Sequence, residues 1–239
     1  MTQSYLIGID IGTSACKVAL FDRSGCVLAA ANGDYPVYYP KEGWAEQNPE
    51  EWWSAVCGAV RQVIEEASVA PEEIAGVGID GQSWSAIAID RNGHVLTNTP
   101  IWMDTRAQSI CDRLNEEIGA EAIFEVAGNS LQPSYATAKI LWYKENLPEV
   151  YAKIDKILQS NSFIAFKLTG AVSQDLSQGY GLHCFDMRTG KWNEAMCEKL
   201  GIPVEFLPEI VPCDHVVGTV TKKAAEECGL AEGTPVVAG

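Results

Sequence analysis

The stretch that most restricts this chain is residues 6–21, LIGIDIGTSACKVALF, where two apolar runs meet at a turn of Gly12, Thr13 and Ser14. Ile7 and Ile9 alternate with Gly8 and Asp10, and Val18 and Leu20 resume the alternation after the turn, which predicts a β-hairpin. Asp10 is the residue that needs an explanation. It precedes small residues whose main-chain N–H groups can approach an anion closely, and Lys17 adds a positive charge a few residues on, so phosphate is a candidate ligand. The pattern is neither the P-loop nor the dinucleotide fingerprint, because no helix-forming segment follows the glycine. Taken alone, the same residues also read as a plain hairpin whose aspartate caps its own turn.

Residues 26–31 add a third apolar run, so three strands form a meander. Residues 35–46, with three tyrosines, two prolines and Trp44, read as an irregular connection whose aromatics cover the core. Asn48 as N-cap, Pro49 at the first helical position and Glu50 and Glu51 in the first turn then start a helix. Trp52, Val56, Val60, Val63 and Ile64 give it one apolar stripe, and Pro71 stops it. A strand at 74–80 breaks at 81–85, GQSWS, and resumes at 86–90. Gly81 lets the backbone turn where a strand ends, which either presents Gln82, Ser83 and Trp84 at a cleft edge or packs Trp84 over the sheet.

Helical periods follow at 107–118, 121–126, 136–145, 149–154, 162–168 and 193–200, so residues 104–200 form a helical excursion. Asp104 and Arg106 stand at the mouth of its first helix, where they read either as an N-cap or as a grip on the hydroxyl groups of a polyol. Residues 129–135 form a loop able to return to the same cleft, and 173–181 are polar and rich in turns. A last αβ segment rejoins the sheet, its final strand stopping at Gly239, which reads as one lobe of a longer protein or as an engineered boundary.

Composition narrows the partners. The formal net charge of −15, from 32 acidic and 17 basic residues, disfavours nucleic acid or an anionic membrane. An anionic substrate such as ATP then needs local positive charge or a metal ion. Eight cysteines without a C-x-x-C pair and three scattered histidines suggest neither a zinc framework nor a disulfide ladder, so buried reduced thiols are expected. With no signal-peptide pattern and no long apolar run, the expected setting is cytoplasmic.

Five segments, GIDIGTSACK at 8–17, WAEQNPEEWW at 44–53, GIDGQSWS at 78–85, IWMDTRA at 101–107 and SYATAKILW at 134–142, together resemble the FGGY carbohydrate kinases, and most of all their xylulokinase branch. The resemblance covers nearly the whole chain. It implies a ribonuclease H-like α/β fold of the actin and hexokinase superfamily, a mixed sheet flanked by helices with a helical insertion. It also implies a two-lobed enzyme with ATP and sugar in the cleft between lobes, residues 1–239 being the N-terminal, sugar-binding lobe and the C-terminal lobe being absent from this chain. The implied activity is ATP-dependent phosphorylation of a sugar or polyol, such as the pentulose xylulose, with ATP and Mg²⁺ as cofactors.

By that resemblance Asp10 holds Mg²⁺ through water, and Gly12, Thr13, Ser14 and Lys17 face the ATP phosphates. Gln82, Ser83, Trp84, Asp104, Arg106 and Tyr135 line the substrate cleft. The xylulokinase branch reads glycine, glutamine, methionine, histidine where this chain has Gly81, Gln82, Ser83 and Trp84, a departure at the place where substrates are told apart. The family's general base is an aspartate that would follow Gly239, so no catalytic base is expected in this chain and the isolated chain is expected to be inactive. Expected partners are the sugar and the C-terminal lobe, with no nucleic acid or membrane; a homodimer is compatible with this reading. A non-catalytic actin-like sensor or activator is the alternative; it would carry a partner-binding element or a DNA-binding helix pair, and the acidic chain shows neither.

Overall fold

In the computed structural model, which describes residues 4–239, strands β1 (Tyr5–Ile11) and β2 (Ala15–Asp22) pair antiparallel with Ile11 opposite Cys16. Residues 12–14 are thereby left as the turn. Strand β3 (Val27–Asp34) pairs antiparallel with β2 and completes the meander. Alternation puts Ile7, Ile9, Ile11, Val18 and Leu20 on one face, where they are buried beneath helix α1 (Pro49–Ala67). The start of α1 is as read: the Asn48 side chain accepts from the Glu50 N–H at 3.0 Å, and Pro49 occupies the first turn. The helix ends before Pro71, at Ser68, whose φ of 53° turns the chain left-handed. Gly33 sets how closely β3 and α1 approach, since a Cβ there would lie 2.8 Å from the Ala55 carbonyl oxygen.

Strand β4 (Ile74–Gly81) lies parallel to β1 on its other side, with Asp10 beside Asp80 in the register. The excursion then builds a second core around Ile110, Leu114, Ile123 and helix α2 (Ala136–Asn146). Inside it the short strands Ile87–Ile89 and Lys156–Leu158 pair antiparallel. Helix α3 (Ser160–Thr169) returns to the sheet and starts two residues before the apolar period does, because the Gln159 N–H donates to Ser162 Oγ at 2.8 Å. Strand β5 (Val216–Thr219), helix α4 (Lys222–Cys228) and strand β6 (Pro235–Val237) close the edge, giving the order β5-β6-β4-β1-β2-β3. The core face of this mixed sheet is covered by α1, α3 and α4.

Residues 173–181 differ from their reading as a polar turn. Ser173–Asp175 is a strand parallel to Glu209–Val211, followed by the helical turn Leu176–Gly179. Gln174, Asp175 and Gln178 are buried there because they bond one another and Asn161: Asp175 Oδ1 accepts from Asn161 Nδ2 at 2.6 Å and from Gln174 Nε2 at 2.8 Å. All eight cysteines are free, and six are buried. Among the described residues no helix is long and apolar enough to cross a membrane.

Candidate functional site

The hairpin turn is held by its carbonyls. The Gly12 oxygen accepts from Tyr35 Oη at 2.7 Å and Gln82 Nε2 at 3.3 Å, the Thr13 oxygen from Gln47 Nε2 at 2.9 Å, and the Ser14 oxygen from the Tyr35 N–H at 3.2 Å. Burial pushes the Tyr35 phenol far up, so it stays a donor. The Thr13 and Ser14 N–H groups find no acceptor among the described residues. Two adjacent main-chain donors at a fixed turn form a small anion-binding concavity. Asp10, half exposed, sits beside it with Lys17 Nζ 3.8 Å from its carboxylate.

The loop after β4 supplies the other wall. The Gln82 N–H donates to the Ile11 oxygen at 2.7 Å, its Nε2 donates to Gln47 Oε1 at 2.8 Å, and its main-chain oxygen accepts from Ser160 Oγ at 2.7 Å. Trp84 has φ 71°, a left-handed conformation costly for a bulky residue. Its N–H donates to Gln159 Oε1 at 2.9 Å, and its oxygen accepts from Lys139 Nζ at 2.8 Å. The indole stacks on Tyr135 at 4.3 Å between centroids and meets Tyr180 edge-on at 6.1 Å. Trp84 Nε1 and Gln82 Oε1 are buried without a hydrogen-bond partner among the described residues.

Turn and loop share one cavity of about 420 Å³, lined by Asp10, Gly12, Thr13, Gly81, Gln82, Ser83, Trp84, Trp102 and Tyr180. Trp102 and Tyr180 were not singled out from sequence. Trp102 Nε1 donates to Thr13 Oγ1 at 3.1 Å while 44% of the residue stays exposed, so the indole is fixed to the hairpin turn at the cavity. Its place inside the IWMDTRA segment was the available signal.

The structure sends Asp104 and Arg106 elsewhere. Asp104, 1% exposed, accepts the Ala45 N–H at 2.7 Å and Arg106 Nε at 2.9 Å; Arg106 Nη2 reaches Glu46 at 2.8 Å and its guanidinium lies 3.8 Å from the Trp44 ring centroid. Burial disfavours the Arg106 charge, but its bonds to Asp104 and Glu46 outweigh this and raise its pKa. Arg106 lines a separate cavity with Lys41, Trp44 and Trp142. Asp104 is not the helix N-cap either, because Gln108–Leu114 is preceded by Ala107 in that position. Tyr135 does not line the shared cavity; it backs Trp84, which does, through their stack.

Among the described residues no group of three or more histidine, cysteine or acidic side chains gathers to hold a metal. A single accessible carboxylate such as Asp10 fits Mg²⁺ in its usual mode with nucleotides, where phosphate oxygens and water supply most ligands.

Residues 5–239 match the model of the N-terminal domain of the FGGY family of carbohydrate kinases. The chain belongs to the FGGY family of carbohydrate kinases. It is 31% identical over 237 residues to the xylulose kinase of Bacillus subtilis, covering 99% of this chain and 47% of that protein. It is 32% identical over 225 residues to the glycerol kinase of Carboxydothermus hydrogenoformans, covering 91% and 45%. The crystal structure of xylulose kinase from Rhodospirillum rubrum matches with a TM-score of 0.93 at 27% identity, over 98% of this chain and 48% of that one. This FGGY chain therefore has the actin/hexokinase-like fold, and it spans about half the length of the curated relatives it matches.

Proposed function

We propose that the protein containing this chain transfers the γ-phosphoryl group of ATP to a hydroxyl of a sugar or polyol, a pentulose such as xylulose. Residues 1–239 form its sugar-binding lobe and the first half of its phosphate site. The observation that carries this is the shared cavity, which joins the anion-accepting turn at Asp10 to the polar and aromatic wall at Gln82–Trp84. Phosphoryl transfer chiefly needs positioned charge around the moving group. The Thr13 and Ser14 N–H groups and Lys17 supply it, and Asp10 would hold the Mg²⁺, whose charge would neutralise phosphate oxygens. The Trp84 and Trp102 rings cover the apolar side of the sugar, while Ser83 Oγ meets its hydroxyls and Gln82 borders them.

The proton of the attacking hydroxyl goes to an aspartate of the C-terminal lobe. General-base help contributes about 10² to 10⁴ in rate, so the 239-residue chain alone has no useful turnover. Eight free thiols fit a reducing, cytoplasmic setting.

A sugar panel on the complete protein tests the reading. ATP-dependent phosphorylation of at least one pentulose or related polyol is expected, and Trp84→His should shift the preference among sugars while leaving the KM for MgATP nearly unchanged. Equal loss toward sugar and nucleotide would remove Trp84 from the sugar site. Sugar and MgATP binding without turnover would replace the kinase by a sensor.

A further inference from the structure

We propose that Lys139 is the positioning residue of the sugar end of the cavity, tying the main chains beneath Trp84 and Tyr135 together so that the Tyr135 ring backs the Trp84 ring that lines it. Its kinetic consequence rests on the sugar-kinase reading above; its spectroscopic consequence does not.

Lys139 lies on α2 with its side chain fully buried, yet it forms no ion pair among the described residues. Nζ donates instead to two carbonyl oxygens, Trp84 at 2.8 Å and Ser134 at 2.6 Å. Ser134 immediately precedes Tyr135, the ring on which Trp84 stacks. One amine thus joins the main chains of Trp84 and Ser134 at the point where the Trp84 and Tyr135 rings meet. The nearest charges acting on it, Asp104 and Arg106, are opposite in sign and bonded to each other, which leaves the amine to its hydrogen bonds.

The chemistry of the two acceptors explains the residue type. Carbonyl oxygens only accept, so a group bridging them must donate twice, and an amine on a four-carbon stem does so from inside an apolar core. Trp84 makes the bridge necessary. At φ 71° the residue is held against its own preference, with Gln159 on its N–H and Lys139 on its oxygen. Without the second hold the backbone relaxes toward negative φ and the indole leaves Tyr135.

The test is Lys139→Met in the complete protein, which keeps most of the volume and removes both donors. The sugar KM should rise about tenfold or more while kcat and the KM for MgATP change by less than about threefold. In near-ultraviolet circular dichroism, the difference between the protein and its Trp84→Phe counterpart, present in wild type from the Trp84–Tyr135 pair, should vanish in the Lys139→Met background. An unchanged sugar KM with a lowered melting temperature, or a retained difference band, overturns the proposal. If Lys139→Met does not fold, Lys139→Leu is read by the same two measurements. If wild type phosphorylates no sugar, the kinase reading fails and the difference band alone decides the role of Lys139.

Discussion

Replacing Arg106 by methionine separates support from substrate contact. The guanidinium bonds two acidic side chains, Asp104 at 1% and Glu46 at 17% exposure, and is itself 3% exposed. Removing one partner of a buried pair costs about 3–5 kcal/mol, because the remaining carboxylate is left in a poorly solvating site. The lost contact over Trp44, at 3.8 Å, adds about 1 kcal/mol. Together this is a large share of the roughly 5–15 kcal/mol that a domain has in total. Equilibrium urea unfolding should therefore show a loss of about 4–6 kcal/mol for Arg106→Met, partly restored when Asp104→Asn is added, since the amide removes the stranded charge. The KM for sugar in the complete protein should stay within about threefold in whatever fraction folds. A loss below about 1 kcal/mol, or an intact fold with a sugar KM raised tenfold, would refute this account and return Arg106 to the substrate.

Burial lowers the Lys139 amine from 10.5 to about 7, so between these values the unfolded chain binds more protons than the folded one. Stability should rise with pH across that window, by up to about 1.4 kcal/mol per unit, and be lost again as pH falls toward 7; Lys139→Met should flatten this slope in urea melts at about pH 7.5 and about pH 9.5. Burial likewise lowers His183 from 6.5 to about 4, so its ring should show no NMR titration between about pH 5 and pH 8; a midpoint near 6.5 would contradict its placement. Gly33→Ala would put a Cβ 2.8 Å from the Ala55 oxygen and should lower stability by about 1–3 kcal/mol in thermal melts. Asp10→Asn, at a half-exposed position, should leave stability within about 0.5 kcal/mol yet lower phosphoryl transfer by about a hundredfold in the complete protein; near wild-type turnover would remove Asp10 from the site.

Elements written in local signals were legible. The alternation in β1 and β2 and the Asn48–Pro49 start of α1 each depend on neighbours a few residues away, and each forms as read. Segments stabilised by distant partners were not. Residues 173–181 look like surface turns because their side chains are polar; what buries them is their bonding to Asn161 on α3, invisible in a local window. The candidate site divides the same way. Gln82 and Trp84 stand out through the glycine that ends a strand, but Lys139 looks like any lysine on a helix until its two carbonyl partners are seen. Asp104 and Arg106 read as an open pair because nothing nearby in sequence shows that Ala45 and Glu46 occupy them.

The way residue 84 is held bears on how such a site changes through descent. Gln159 and Lys139 take hold of an amide and a carbonyl, groups that every residue type except proline carries in full. The socket is therefore indifferent to the side chain placed in it. A glycine, asparagine or histidine there would be gripped by the same two bonds and would tolerate φ 71° better than tryptophan does. One codon can thus reshape this wall of the cavity while the scaffold behind it, and the hairpin turn across the cavity, stay as they are. Divergence in what is bound need not be accompanied by any repair elsewhere in the lobe.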